Sequence, residues 1–447
     1  MKKFFIISFI VVLGLTLPQI TNNKSSYQEN SLNNKILANQ PLNLEVVGDL
    51  KPKDVHLIYK NGEMKRNIFL SYLKSNKKTY IYFVPELISG NYELSVDDNI
   101  ISKFKLAKYE NKPKTLQDCI GLPTDNRCLD EYFVSMVNSK KDVAIALDGI
   151  KELYTKYPDK NQVCHAFAHS IGIAASYYTS SLEEGYKLGD NACRGYYHGV
   201  SMGFTTQLSS VEFTKAIPNL CDFYLKTNEF YDCLHGVGHD IFLHYPTEFT
   251  KGSMLCMSLT YEDPEAKTEC ESGVAMGFVD FYNLQDAKFK NQLIPNKDVA
   301  ILCSKLPGDL VEGCWRFIIS AYIDEPAETI PGLFEKLCNK QETASKDGCW
   351  GGVGMAFMHR FPKSSIKEIN NFCSKGLTEK SVMNCINLTL GLYYINSGSG
   401  GVKEICSTLP KDYKSKTEKC RFWAEAEANL IRTGGTDFIS HGNTSSS

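Results

Sequence analysis

Excess charge of either sign is missing from this chain. Its 49 Lys and Arg face 51 Asp and Glu over 447 residues, a formal net charge of −2. A balance this even gives no electrostatic ground for nucleic acid, whose binding rests on clustered basic side chains. Long apolar runs are also scarce. The one at the start, Phe4 to Leu17, is ended by Pro18, and no later run approaches the roughly 20 residues a spanning helix needs. No second membrane-spanning helix is therefore expected. Two metal or cofactor signatures are absent as well. The residues after His165 and His235 are Ala166 and Gly236, where a zinc protease of the His-Glu-x-x-His type needs Glu. No Cys-x-x-Cys-His occurs, so covalent haem attachment is not indicated.

What the chain has in quantity is cysteine, 16 in all, and from Cys221 onward they fall in pairs. The pairs are Cys221/Cys233, Cys256/Cys270, Cys303/Cys314, Cys338/Cys349, Cys373/Cys385 and Cys406/Cys420. Each encloses roughly 10 to 13 residues and the second members recur about every 35 to 44, a period in the range of helical-repeat arrays. After the second cysteine comes an apolar, often Gly-containing segment. Cys233-Leu-His-Gly-Val-Gly-His, Cys270-Glu-Ser-Gly-Val-Ala-Met and Cys349-Trp-Gly-Gly-Val-Gly-Met align without a gap. The spacing predicts that each pair staples the end of one helix to the start of the next, with about 3 kcal/mol of loop-closure stabilisation per bond. Cys119, Cys128, Cys164 and Cys193 lie outside this pattern. Cys164 and Cys193 either bridge two helices or leave Cys164 free to serve as a nucleophile.

Paired cysteines in this number belong to an oxidising compartment. Lys2 and Lys3 ahead of the apolar run have the layout of a secretory leader, and no small-x-small cleavage site follows, so residues 1–20 are expected to be a signal peptide or an N-terminal anchor. An extracytoplasmic location follows: secreted, periplasmic or tethered at the surface, with membrane contact only through that anchor. Residues 21–40 are polar and aperiodic, a linker. Residues 41–108 lack cysteine and alternate with period two, as in Leu44-Glu-Val-Val, Thr79-Tyr-Ile-Tyr-Phe-Val and Ile101-Ser-Lys-Phe-Lys-Leu, which predicts strands. From residue 109 the period becomes 3.6, beginning with the amphipathic stretch Asp142 to Tyr154, and this helical region runs to residue 431. Residues 432–447 read as a loose tail.

The stretch Phe83 to Val96, in which a turn Gly precedes Tyr92-Glu-Leu-Ser-Val, resembles the late strands of immunoglobulin-like sandwiches. Residues 119–425 resemble, in period and cysteine placement, secreted tetratricopeptide-like arrays whose helix hairpins carry a disulfide per repeat. The tetratricopeptide residue pattern itself is absent, so that family's peptide-binding role does not carry over. The implied fold is mainly α: a disulfide-stapled α-solenoid of helix hairpins preceded by a small immunoglobulin-like β-sandwich.

Chemistry-bearing residues concentrate in one place. Of nine histidines, five lie between residues 165 and 239. His165 and His169 are four apart just after Cys164, His198 follows Cys193, and His235 and His239 are four apart just after Cys233. An i, i+4 pair projects from one helix face and can share a metal ion. Counted from each cysteine at about 100° per residue, the five fall between about 100° and 240°. At matching positions later repeats carry Ser272 and Met276, Gly351 and Met355, or Ala275, Ile319, Gly354, Leu390 and Glu425, so the fold does not itself demand histidine.

These residues predict a transition-metal site, Zn, Cu or Fe, with His198 central between the two pairs. Glu183, Glu184, Asp190, Arg194, Tyr196 and Tyr197 are candidates for supporting contacts. His239-Asp240 also has the form of the dyad of metal-dependent phosphohydrolases, against a solvated reading of Asp240. Gly199/Gly203 and Gly273/Gly277 are steps of small residues that let helices pack closely. Two functions are compatible with all this: a metal-dependent enzyme, or an extracellular scaffold that binds a protein or glycan. No catalytic residue is assigned.

Overall fold

Hydrophobic alternation before residue 108 does produce strands. The computed structural model describes residues 11–13, 42–47 and, with short gaps, 54–397. The linker, Arg194, Cys406, Cys420, Glu425, the tail and the rest of residues 1–20 lie outside the described residues. The strands are β1 (Val11–Leu13), β2 (Leu42–Val47), β3 (Val55–Asn61), β4 (Met64–Phe69), β5 (Ser71–Asn76), β6 (Thr79–Val84), β7 (Gly90–Val96) and β8 (Asn99–Leu106). They form two antiparallel four-stranded sheets, ordered β1-β2-β6-β5 and β4-β3-β7-β8. Val11–Leu13, within the run expected to be a leader, pairs with Leu44–Val46. In the second sheet the register sets Leu57 opposite Leu94 and Tyr59 opposite Tyr92, all four buried.

Beyond the sheets the chain is helical: α1 (Asp125–Met136), α2 (Asp142–Lys156), α3 (Cys164–Ser176), α4 (Leu182–Tyr186), α5 (Tyr196–Thr205), α6 (Ser210–Ala216), α7 (Phe230–His244), α8 (Phe249–Leu255), α9 (Pro264–Asn283), α10 (Ala287–Leu293), α11 (Ala300–Cys303), α12 (Gly308–Ile318), α13 (Ile330–Asn339), α14 (Thr343–Arg360), α15 (Ile366–Cys373) and α16 (Glu379–Ser397). Among the described residues no helix is long and apolar enough to cross a membrane.

Contacts divide the chain into two units. The first holds residues through Ala216 with Leu243–Thr247, and the second holds Ile217–Phe242 and the residues from Glu248 onward. In the first unit the change of period does not isolate the sheets from the helices. The Tyr59 ring lies 4.8 Å from that of Tyr177, Asn61 Nδ2 donates to the Tyr178 hydroxyl at 3.2 Å, and the Phe69 N–H donates to the Thr206 carbonyl at 2.8 Å. In the second unit α9, α12, α14 and α16 pack in succession, each on the next.

Among the described residues seven disulfides close sequence-local loops. Five are the expected repeat pairs from Cys221–Cys233 to Cys373–Cys385, and the other two are Cys119–Cys128 and Cys164–Cys193. Cys164 is therefore bonded, which removes the reading of it as a nucleophile. The staple also differs in detail from the expectation. First cysteines do sit at helix ends, Cys303 closing α11 and Cys373 closing α15, but the second members lie well inside the following helix, as Cys270 does in α9 and Cys349 in α14. Helix α9 starts earlier with Pro264 at its first position, where its missing N–H costs nothing, and α14 begins at Thr343, six residues ahead of Cys349. With the described cysteines all paired, the chain belongs in an oxidising setting.

One buried acid in the second unit carries a pH signature. Glu271 is fully buried, and its Oε1 accepts from Ser253 Oγ at 2.9 Å. Burial pushes its carboxyl well above the usual range, so the folded chain keeps it protonated while the unfolded chain ionises. Its contribution to stability is complete below the unfolded pKa and is lost as pH rises toward the folded one. Glu271→Gln retains the acceptor and removes the titration, so urea midpoints at acidic and mildly alkaline pH should converge in the variant. A difference as large as wild type's would assign the pH dependence to another group.

Candidate metal centre

Close approach of α3 and α5 comes first, because it brings the histidines together. A Cβ added at Gly199 would stand 2.0 Å from the His169 carbonyl oxygen, and one at Gly195 would stand 2.2 Å from that of His165. Only glycine permits this spacing of two helix backbones. The same device recurs in the second unit, where a Cβ at Gly273 would meet the His235 carbonyl oxygen at 2.0 Å. The small-residue steps thus let neighbouring helices pack closely, as the sequence predicts.

The result is a triad. The ligand atoms of His165, His169 and His198 all lie within 4.8 Å of one another. His169 Nε2 faces His198 Nδ1 at 3.4 Å, and the His165 ring centroid is 4.5 Å from that of His169 and 5.3 Å from that of His198. A tetrahedral ion with bonds of about 2.0–2.1 Å separates its ligand nitrogens by about 3.3 Å, so the His169–His198 edge already has the right length. His169 and His198 are 9% and 4% exposed, and His165 is half-buried, which leaves the centre dry on one side and accessible beside His165.

A backbone contact sets the protonation of His165. Its Nδ1 lies 3.0 Å from the Cys193 carbonyl oxygen, which can only accept, so Nδ1 carries the hydrogen and Nε2 keeps its lone pair in the neutral ring. Cys193 is bonded to Cys164, the residue before His165, so one disulfide fixes both the ring's root and its hydrogen-bond acceptor. The sequence places Cys193 near the site but cannot show that its carbonyl does this.

His235 and His239 belong to the second unit, with ring centroids 4.9 Å apart. Ser272 Oγ donates to the Glu269 carbonyl at 2.8 Å and meets His235 Nδ1 at 2.8 Å, so the His235 ring is held by a hydrogen-bonded hydroxyl. Glu269 is in turn held by Arg316, whose guanidinium also reaches Glu265 Oε1 at 3.3 Å. The Glu265 and Glu269 carboxylates keep the buried Arg316 charged. Ser272 looks in the sequence like the residue that replaces histidine in a later repeat. In space it is the partner of His235.

Several expected supporting residues are engaged elsewhere. Tyr196 donates its hydroxyl to the Gly185 carbonyl at 2.8 Å, Glu184 pairs with Lys140, Glu183 with Lys187, and Asp190 with Lys151 at 2.5 Å. Their residue types suit a metal site, but α4 turns its acids outward to surface lysines. Asp240 is buried rather than solvated. His244 shows what a structural histidine looks like in this fold. It stacks on Phe213 at 4.2 Å, donates from Nε2 to the Thr205 carbonyl at 3.2 Å and meets Ser210 Oγ at Nδ1. Burial lowers its pKa to about 4, so it stays neutral.

No family model, curated protein or solved structure matches the chain. The donor set itself therefore carries the reading: three imidazoles on two closely packed helices can hold a borderline transition metal and leave a fourth position.

Proposed function

We propose that this is an exported, cysteine-rich helical-repeat protein that binds a transition metal, Zn, Cu or Fe, through His165, His169 and His198. His235 and His239 form a second, independently supported pair of donors. The observation that carries the proposal is the triad's geometry, with one nitrogen–nitrogen edge already at the length a tetrahedral ion needs and the tautomer of His165 set by the Cys193 carbonyl.

The architecture proposed with this function is a disulfide-stapled α-solenoid behind an immunoglobulin-like module. Local disulfides that recur along successive packed helices support the first part. The second is supported by Tyr92, whose hydroxyl donates to the Ile88 carbonyl at 2.6 Å, the local bond made by the corner tyrosine of such sandwiches.

Metal content tests the reading. Purify the chain from metal-supplemented expression, dialyse it, and measure Zn, Cu and Fe by elemental analysis. At least one equivalent of metal per chain is expected, removable by chelator with a fall in melting temperature. Absence of stoichiometric metal would leave the alternative function, an extracellular scaffold for a protein or glycan.

A further inference from the structure

Six of the seven described disulfides have both cysteines buried, and the seventh does not. In that seventh, Cys164 is buried while Cys193 is only half-buried, the one described disulfide cysteine with appreciable exposure. Access decides which bond meets an external thiol, because exchange begins when a thiolate reaches a disulfide sulfur. Cys164–Cys193 also closes the longest loop, with a sequence separation of 29 against 9 to 14 for the others.

The backbone at Cys193 is unusual as well. Its φ is 53°, in the left-handed region, where the other described non-glycine residues are Asp97, Asp98 and Asn296. Asp and Asn bear that conformation more readily than other side chains do, and cysteine has no such aptitude. Two contacts tie Cys193 to α3, the bond to Cys164 and the hydrogen bond that its carbonyl accepts from His165 Nδ1 at 3.0 Å. The chain on either side is anchored independently. A Cβ at Gly189 would stand 2.3 Å from Leu147 Cδ1, and one at Gly195 would stand 2.2 Å from the His165 carbonyl oxygen. Opening the bond therefore frees a short stretch around Cys193 and leaves α3 and α5 packed.

We propose that Cys164–Cys193 is a thiol–disulfide exchange site for a dithiol reductant, and that its reduction releases metal from the triad. A thiolate of the reductant attacks Cys193 Sγ, the S–S bond breaks, and Cys164 Sγ leaves as a thiolate that takes up a proton. The second thiol of the reductant then attacks the mixed disulfide, which frees Cys193 as a thiol and closes the reductant's own disulfide. Two electrons and two protons pass to the chain. Without the bond, Cys193 relaxes to an ordinary backbone conformation and its carbonyl turns from His165 Nδ1, so the ring loses the contact that presents Nε2. The release rests on the metal reading of the triad, and the exchange site does not.

Limiting dithiothreitol on the native full chain tests the site, with alkylation of the thiols formed and peptide mapping by mass spectrometry. Cys164 and Cys193 should be labelled first, while the other described bonds stay closed. Opening of another bond ahead of this one, or of all together, would overturn the exchange site. Metal affinity is then compared between the oxidised chain and the singly reduced chain freed of reductant. Reduction should weaken binding about 10- to 100-fold at an unchanged circular dichroism spectrum, and reoxidation should restore it. A double variant, Cys164→Ser with Cys193→Ser, should match the reduced chain and ignore dithiothreitol, which removes the new thiols as rival ligands. Unchanged or tighter metal binding after reduction would overturn the release. A chain that binds no metal even when oxidised would overturn the metal reading and the release with it, and the order of alkylation would still decide the exchange site.

Discussion

Metal bound by His198→Ala should fall from at least one equivalent per chain to less than a tenth of the wild-type value, while His359→Ala, outside the constellation, keeps it. The reason is the geometry of the triad. His198 Nδ1 supplies one end of the 3.4 Å edge with His169, and its removal leaves an i, i+4 pair on α3 alone. Two imidazoles on one helix hold a transition ion far more weakly than three, and even loss of a supporting hydrogen bond costs about 10- to 100-fold in affinity. Elemental analysis after dialysis against a weak chelator reads the result. A His235→Ala variant run alongside reports separately on the pair in the second unit. Equal metal in wild type, His198→Ala and His359→Ala would remove the triad as the site.

The second large effect is expected from a single methyl group. Gly199→Ala places a Cβ that would lie 2.0 Å from the His169 carbonyl oxygen, a contact that only separation of α3 from α5 can relieve. Overpacking of this kind costs about 3 kcal/mol or more when backbone must move. The same displacement pulls His198 from His169, so metal is lost together with stability. Gly308→Ala is the matched control, because nothing lies within 4 Å of a Cβ there. Thermal melts and metal content of the two variants should diverge, with Gly199→Ala well below wild type and Gly308→Ala indistinguishable from it. A Gly199→Ala protein with wild-type melting and metal would mean that the helices do not touch at this point.

How much of this is legible in sequence depends on which atoms do the work. Cysteine spacing gives the staples, and i, i+4 histidines give the faces, because both are side-chain patterns with a period. The strands Met64–Phe69 and Ser71–Asn76 escape the alternation test. The first is an edge strand that fully buries only Ile68, so its sequence Met-Lys-Arg-Asn-Ile-Phe is mostly polar. What escapes at the site is the contribution of main chain and of ordinary-looking residues. The Cys193 carbonyl has no side-chain signature, and Ser272 becomes the partner of His235, and Arg316 that of Glu269, only once α7, α9 and α12 are packed. Acids near the histidines in sequence, such as Glu184 and Asp190, point to surface lysines, since proximity along the chain does not fix the direction of a side chain.

The staples also bear on how such a chain is made. The fourteen cysteines of the described disulfides alone allow on the order of 10⁵ complete pairings, a number that defeats random oxidation. Among the described residues no bond spans more than 29 residues, and none interleaves with another. Each partner therefore emerges soon after its mate during synthesis or export, before the next pair arrives. Oxidation in order of appearance yields the native set, so the order of emergence does the work that a proofreading isomerase must do for proteins whose bonds cross.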